Sequence, residues 1–100
     1  MRIIAIRTLR EFWQNVPGCA DAKGPLEAWH AEVSRALWET PHDIKAQFGT
    51  ASIVGNERVV FNVGGNKYRL VAAIDWRRQI VFIRFVGTHR QYDAIDARYI

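Results

Sequence analysis

Residues 59–93, which read VVFNVGGNKYRLVAAIDWRRQIVFIRFVGTHRQYD, decide the fold of this chain. Apolar residues recur at every second position in three runs, Val59–Val63, Tyr68–Asp75 and Ile80–Val86, and this period of two is typical of half-buried strands. The Gly-Gly-Asn between the first two runs tolerates a positive φ and predicts a tight hairpin. The stretch therefore predicts three antiparallel strands.

Alternation along these strands assigns their side chains to two faces of a sheet. If Gly65-Asn66 forms a two-residue turn, Val63 lies opposite Tyr68. One face is then apolar and is expected to pack against helices; it holds Val59, Phe61, Val63, Tyr68, Leu70, Ala72 and Ile74, with Val81, Ile83 and Phe85 of the last strand. The other face is expected to be uncovered and to carry Arg58, Asn62, Arg69 and Arg84. A register slip of one residue would bury the last two arginines at high cost, so it is disfavoured.

The chain before this stretch begins with a β-branched run, Met1–Ile6, which predicts a first strand at a sheet edge. Thr8 and Glu11 match a capping box at the start of a helix. Apolar residues then follow at helical spacing until Pro17-Gly18, which is expected to end this helix.

A second helix is predicted to start at Gly24-Pro25 and to end at Pro41. Residues 42–48 fit either a short helix or an extended link, and residues 89–99 predict a short closing helix. The expected fold is α+β, with an N-terminal strand and two helices packed on one face of a small antiparallel sheet and a short C-terminal helix. Residues 1–100 are expected to form one domain.

Composition narrows the possible function classes. Half of the chain is apolar and 12% is aromatic, which indicates a folded domain rather than a disordered one. The single cysteine excludes an intrachain disulfide and fits the cytoplasm, and no apolar run is long enough to predict a membrane span. Residues 1–50 hold six Lys/Arg and six Asp/Glu, whereas residues 51–100 hold eight and four, so the net charge of +4 lies in the second half. This asymmetry favours a polyanionic or acidic partner, although an ordinary solvated basic surface explains it equally well.

The predicted uncovered face brings an imidazole, a phenol and several cations together. Arg69 and Arg84 point the same way, Lys67 lies at the hairpin, and His89 and Tyr92 follow the last strand three residues apart. Histidine can move protons near neutral pH, and arginine holds phosphate through a rigid donor fork. This set fits cleavage of RNA, in which the 2′-hydroxyl is the nucleophile and no metal or other cofactor is required. The scattered histidines also show no ligand spacing typical of a metal site.

FNVGGNKYRLVA (residues 61–72) and VGTHRQYD (residues 86–93) resemble the HigB-type toxins of type II toxin–antitoxin modules, which belong to the RelE superfamily of mRNA interferases. The resemblance is strong from Lys45 to Asp93. It implies a small α+β toxin that cuts mRNA, usually in the ribosomal A site. It also implies neutralisation by a cognate HigA-type antitoxin with a helix-turn-helix domain, so that contact with DNA is indirect.

The resemblance also assigns residues. The strand arginine of the family falls on Arg69, its terminal histidine on His89 and its tyrosine on Tyr92, while Lys45 and Lys67 fall where members often carry basic residues. The hypothesis is that His89 is general base or acid, Arg69 stabilises the phosphorane, and Tyr92 positions the phosphate or stacks on a base. Lys45, Lys67, Asn62 and Arg84 are expected to hold the RNA.

Each of these residues also has an ordinary structural explanation. His89 can cap a strand end, and Arg69 and Arg84 can be solvated sheet charges. Tyr92 can pack under the last helix, and Lys45 can be a plain surface lysine. The corresponding functional alternative is a non-catalytic module that binds RNA or an acidic protein through the same face. A further alternative is a subunit that has lost toxicity and folds stably only with its antitoxin.

Overall fold

A five-stranded sheet forms the centre of the molecule, in a computed structural model that describes residues 1–100. The strand order is β1-β5-β4-β3-β2. The strands are β1 (Arg2–Ile4), β2 (Ser52–Val54), β3 (Arg58–Val63), β4 (Tyr68–Asp75) and β5 (Ile80–Thr88). The helices are α1 (Ile6–Asn15), α2 (Lys23–Ser34), α3 (Pro41–Gln47) and α4 (His89–Asp93), with a 3-10 turn at Ala20–Ala22.

The hairpin of β3 and β4 has the register that alternation predicts. Val63 pairs with Tyr68, Asn62 with Arg69 and Val60 with Val71. The Lys67 backbone N–H donates to the Gly64 carbonyl at 3.3 Å, which closes the turn around Gly65-Asn66.

The predicted apolar face of this hairpin is buried in the main core against α1, α2 and α3. Its seven residues all belong to one cluster, namely Val59, Phe61, Val63, Tyr68, Leu70, Ala72 and Ile74. Phe61 is the aromatic centre, with its ring 5.4 Å from that of Trp29 and 5.2 Å from that of Phe48. Aromatic pairs at this spacing add to the stability that burial alone provides. The fold class predicted from the sequence is confirmed.

The sheet is mixed rather than wholly antiparallel. β1 is an edge strand, as expected, but it pairs in parallel with β5, with Ile3 opposite Val81. A parallel neighbour requires a long crossover connection, and the chain between β1 and β5 passes through three helices and strands β2 to β4. None of the helices is long and apolar enough to span a bilayer.

Three helices precede the central hairpin, since residues 42–48, for which a short helix or an extended link was expected, belong mostly to the helix α3. The capping box predicted at Thr8 is wrong, because α1 begins two residues earlier, at Ile6. Pro41 does not end the second helix; α2 already ends at Ser34, and Pro41 occupies the first turn of α3. Thr40 and Asp43 form the capping box of that helix. Proline is favoured at this position because a backbone N–H in the first turn has no partner within the helix, so the absence of one costs nothing.

A β-bulge in β5 changes the predicted faces of the last strand. Val71 pairs with Phe85 and Ala72 with Ile83, so Arg84 is the extra residue of the bulge. The alternation that placed Phe85 in the main core is therefore wrong. Ile83 and Val86 pack on the main core, whereas Phe85 packs on the opposite face of the sheet.

That opposite face is not uncovered, contrary to prediction. The C-terminal segment, residues 89–100, crosses it and forms a second small core around Val60, Val71 and Ala97. Polar contacts hold its far end, since Arg58 Nη2 donates to the Ile100 carbonyl oxygen at 3.0 Å. The polar side chains of this face are consequently divided between its two ends.

Candidate active site

A row of three paired residues crosses the sheet at the end where β4 begins. Asn62 of β3 pairs with Arg69 of β4, which pairs with Gly87 of β5. Directly paired residues of antiparallel strands point to the same face. His89 follows Gly87 by two residues, which is a step of about 7 Å along an extended strand. Arg69 and His89 thus emerge at the same end of the same face.

A capping box orients the start of α4, and therefore His89. Thr88 Oγ1 accepts from the Gln91 backbone N–H at 3.2 Å, and Gln91 Oε1 accepts from the Thr88 backbone N–H at 2.9 Å. This reciprocal pair satisfies two donors that would otherwise have no partner. The chain consequently turns from strand into helix between Thr88 and His89, which is the first residue of α4.

His89 has a carboxylate partner one helical turn further on. Its Nδ1 lies 3.1 Å from Asp93 Oδ2, and its side chain is 55% exposed. With the Nδ1 proton donated to Asp93, the remaining nitrogen, Nε2, carries a free lone pair for proton transfer. Asp93 was not predicted to have a role, although its spacing of four residues from His89 on a helix was the available signal.

Gly87 allows two side chains to approach the sheet beside Arg69. A Cβ atom at this position would lie 2.6 Å from Phe85 Cζ and 2.8 Å from Gln91 Oε1. Any side chain at this position would have to displace the ring of Phe85 or the capping amide of Gln91, so glycine fits here best. Regular alternation along β5 does not predict this requirement, because it places Phe85 on the other face of the sheet.

The Arg69 guanidinium is half-buried and partly anchored. Its Nη1 donates to the carbonyl oxygens of Asn66 at 3.1 Å and Tyr68 at 3.3 Å. The remaining N–H groups are available to hold a phosphate. Asn62 beside it donates through Nδ2 to the Thr50 carbonyl at 3.0 Å, which leaves its Oδ1 available as an acceptor.

Tyr92 lies on α4 with His89 but is half-buried, and its ring packs on the small core around Val60 and Val71. The aromatic ring therefore holds α4 on the sheet, as the structural alternative proposed.

The two lysines suggested by the family resemblance bond to other groups of the protein. Lys45 Nζ donates to the carbonyls of Gly49 at 2.8 Å and Ala51 at 2.7 Å, so it fastens the loop after α3. This is the loop whose Thr50 carbonyl binds Asn62. Lys45 thus borders the site through that loop.

Lys67 does not point towards Arg69. Its ammonium group pairs with Asp21 on the helical side of the sheet, and Asp21 also accepts from the Tyr68 hydroxyl. Hydrogen bonds from Lys67 and then from Tyr68 hold the pKa of Asp21 below its usual range. Burial, followed by the bond to this carboxylate, raises the pKa of Tyr68. These three residues join the hairpin to the 3-10 turn.

Arg84 lies on the same face as Arg69 but towards the other end of the sheet. The bulge projects it over the ring of Phe82, 5.9 Å from the ring centroid. Gly87, the partner of Arg69, is three residues away, which is about 10 Å along a strand. The pairing thus sets Asn62 beside Arg69 at the end of the sheet where α4, which carries His89 and Tyr92, begins, and it leaves Arg84 outside this group.

Comparison of the sequence with known proteins identifies the family of this chain. Residues 22–95 match the family of HigB toxins, described as the RelE-like toxic component of a toxin–antitoxin system. The chain belongs to the HigB toxin family. It is 30% identical to the mRNA interferase toxin HigB of Escherichia coli strain K12 over 99 residues, which cover 97% of this chain and 92% of that protein. The mRNA interferases HigB of Escherichia coli O157:H7 and Shigella flexneri are similar to the same extent.

Proposed function

We propose that this HigB family member is an mRNA interferase, an endoribonuclease that inhibits translation by cutting mRNA on the ribosome. The observation that carries the proposal is the pair of His89 and Asp93, at 3.1 Å, next to the strand end that presents Arg69. The similarity of this chain to relatives that are named mRNA interferases supports the same activity. The cytoplasm is the proposed location because the mRNA and the ribosome are there.

In the proposed reaction the RNA supplies its own nucleophile. The 2′-hydroxyl oxygen attacks the adjacent phosphorus, the bond from phosphorus to the 5′-oxygen breaks, and the products are a 2′,3′-cyclic phosphate and a 5′-hydroxyl. His89 Nε2 exchanges the proton, either by accepting it from the 2′-hydroxyl or by returning it to the leaving oxygen. No metal or other cofactor is part of this reaction.

The remaining residues act on the phosphate and on the strand that carries it. Arg69 stabilises the additional negative charge of the phosphorane through charge-assisted hydrogen bonds. Tyr92 positions the phosphate from α4, and Asn62 contributes an acceptor beside Arg69. Lys45 contributes positive charge at the border of the site from an exposed position, whereas Lys67, paired with Asp21 on the helical side of the sheet, makes no direct contact with the RNA in this proposal.

The proposed partner is a cognate HigA-type antitoxin with a helix-turn-helix domain. Its DNA-binding domain would connect this protein to DNA only indirectly. Neutralisation of growth arrest by the co-expressed antitoxin tests this part of the proposal.

Cleavage of a defined mRNA on purified ribosomes tests the activity. His89→Ala is expected to lower the rate about 10²- to 10⁴-fold, the usual contribution of general acid–base catalysis. Arg69→Ala is expected to lower it about 10²- to 10³-fold, as for other groups that stabilise a transition state electrostatically. His42→Ala is the matched control because His42 is an exposed histidine on α3, away from the site.

The proposal requires that His42→Ala cut at the wild-type rate and that all variants keep their circular dichroism spectra. Cleavage at the wild-type rate by folded His89→Ala and Arg69→Ala would contradict it. RNA binding by the wild type without any cleavage would instead support a non-catalytic binding module.

A further inference from the structure

A cationic depression lies at the opposite end of the sheet from His89. It has a volume of about 520 Å³, and its lining includes Arg58, Trp76, Arg77, Phe82 and Arg84. We call it the Trp76 cleft. Arg84 and His89 are five residues apart in sequence, about 16 Å along an extended strand, so the cleft is separate from the candidate active site.

Two of the three arginines in the Trp76 cleft are unpaired. No ion pair of the protein involves Arg77 or Arg84, and both side chains are exposed. Arg58, in contrast, uses its guanidinium to hold the Ile100 and Asn56 carbonyls. The cleft therefore offers two free guanidinium groups, the donors that match phosphate best.

The acidic groups of the cleft already have partners. The Glu57 carboxylate accepts from the indole Nε1 of Trp76, and Asp75 pairs with Arg78 at 3.9 Å. The indole is half-buried and its polar atom is satisfied, so the part that faces the cleft is aromatic surface. Cations beside an aromatic surface are the usual combination in sites for single-stranded nucleic acid.

Backbone features maintain this arrangement. The bulge in β5 turns Arg84 out of the pairing, and Glu57 has a φ of +59°, a left-handed conformation that is uncommon for glutamate. Bulges and left-handed non-glycine residues are both enriched at functional sites. The bulge lies in β5 and Glu57 lies in the turn that precedes β3, so both features border the same cleft.

We propose that the Trp76 cleft binds one nucleotide unit of single-stranded RNA, with its phosphate on Arg77 and Arg84 and its base against Trp76. A volume of about 520 Å³ lies within the range of small-ligand sites. This site extends the proposed function by a second RNA contact remote from the scissile phosphate. It does not require that the RNA be cut.

Binding of an uncleavable RNA tests the inference independently of catalysis. The probe is a labelled hexanucleotide with 2′-O-methyl groups throughout, which lacks the nucleophile, and its fluorescence anisotropy is followed at several NaCl concentrations with the full chain. Arg77→Gln/Arg84→Gln is expected to weaken binding at least tenfold. The slope of log affinity against log salt should fall by about 1.4, because each lost contact between a cation and a single-stranded phosphate contributes about 0.7.

Matched controls separate the cleft from general surface charge. Arg78→Gln removes a charge from the same turn, but this arginine is paired with Asp75 and does not line the cleft. It should weaken binding less than twofold, as should His42→Ala on α3, an exposed residue outside the cleft. Because Trp13, Trp29 and Trp38 are buried, quenching of tryptophan fluorescence by the probe should be lost in Trp76→Phe.

Three results would overturn the inference. The first is unchanged affinity and salt slope in Arg77→Gln/Arg84→Gln. The second is an equal loss in Arg78→Gln. The third is binding of a hexaglutamate peptide instead of RNA in a manner that depends on Arg77 and Arg84, which would assign the cleft to an acidic protein.

Discussion

Gly87→Ala tests the link between the packing of the sheet and the candidate active site. The new methyl group would lie 2.6 Å from Phe85 Cζ and 2.8 Å from Gln91 Oε1, closer than carbon atoms pack in proteins. Overpacking of this kind costs about 1–3 kcal/mol, and the lower chain entropy of alanine offsets about 0.5–1 kcal/mol of it. Taking the middle of both ranges, we expect the free energy of unfolding to fall by about 1 kcal/mol.

The assay is urea unfolding followed by circular dichroism, together with mRNA cleavage. In a domain of this size each 1 kcal/mol corresponds to a change in Tm of about 4–8 °C. Because Gln91 holds the capping box before His89, its displacement should also lower the cleavage rate. Gly24→Ala on α2 is the matched control, since no atom lies within 4 Å of its new methyl group. It should leave stability unchanged or raise it slightly.

A double-mutant cycle identifies the cause. If the clash with the Phe85 ring dominates, Phe85→Leu should cost less in the Gly87→Ala background than in the wild type. Strictly additive free energies, or a stable Gly87→Ala with full activity, would refute the packing argument.

Three further expectations follow from individual contacts. Thr88→Ala should lower stability by about 1 kcal/mol in urea unfolding, whereas Thr88→Ser, which keeps the capping oxygen, should not. Asp93→Asn should lower kcat only about two- to fivefold, since an exposed ion pair is worth up to about 1 kcal/mol, and a loss equal to that of His89→Ala would show that Asp93 does more than position the imidazole. The pKa of Asp21 is lowered in the folded state by Lys67 and Tyr68, so its stabilising effect is present above its ordinary value of 3.8 and is lost as pH falls below it. Asp21→Asn should therefore unfold more readily at pH 6 than the wild type but show a smaller further loss between pH 4 and pH 2.

Much of the sheet could be predicted because its central hairpin follows one simple rule. Alternation from Val59 to Ile74 is uninterrupted, and a shift of one residue would bury Arg69. The last strand departs from this alternation at Arg84. A bulge adds one residue there, so every later side chain of β5 lies on the face opposite to the one predicted. Nothing in the local residue types distinguishes that strand from a regular one.

The predicted helix boundaries were wrong for a related reason. Pro41 fits the first turn of a helix as well as it fits a stop, and only the chain geometry decides between them. Thr8 matched a capping pattern inside a helix that starts earlier. Local signals of this kind compete, and tertiary packing selects among them.

The sequence predicts the positions of candidate site residues that a short motif or the hairpin register determines. It does not predict side-chain contacts between residues that are far apart in the sequence. His89 and Tyr92 belong to one short motif, and the register of the hairpin places Arg69. The bond from Lys67 to Asp21 joins residues 46 positions apart, so no local pattern could indicate that the ammonium group points to the helical side. The role of Gly87 likewise depends on Phe85, whose face the bulge had changed.

The most direct test of the central claim compares two arginines on one face of the sheet. The measurement is the single-turnover rate of mRNA cleavage on ribosomes at saturating protein, for Arg69→Ala and Arg84→Ala. The account predicts that the maximal rate falls about 10²- to 10³-fold in Arg69→Ala. In Arg84→Ala the maximal rate should be nearly unchanged, and only the protein concentration that gives the half-maximal rate should rise. Equal losses of maximal rate, or a larger loss for Arg84→Ala, would contradict it.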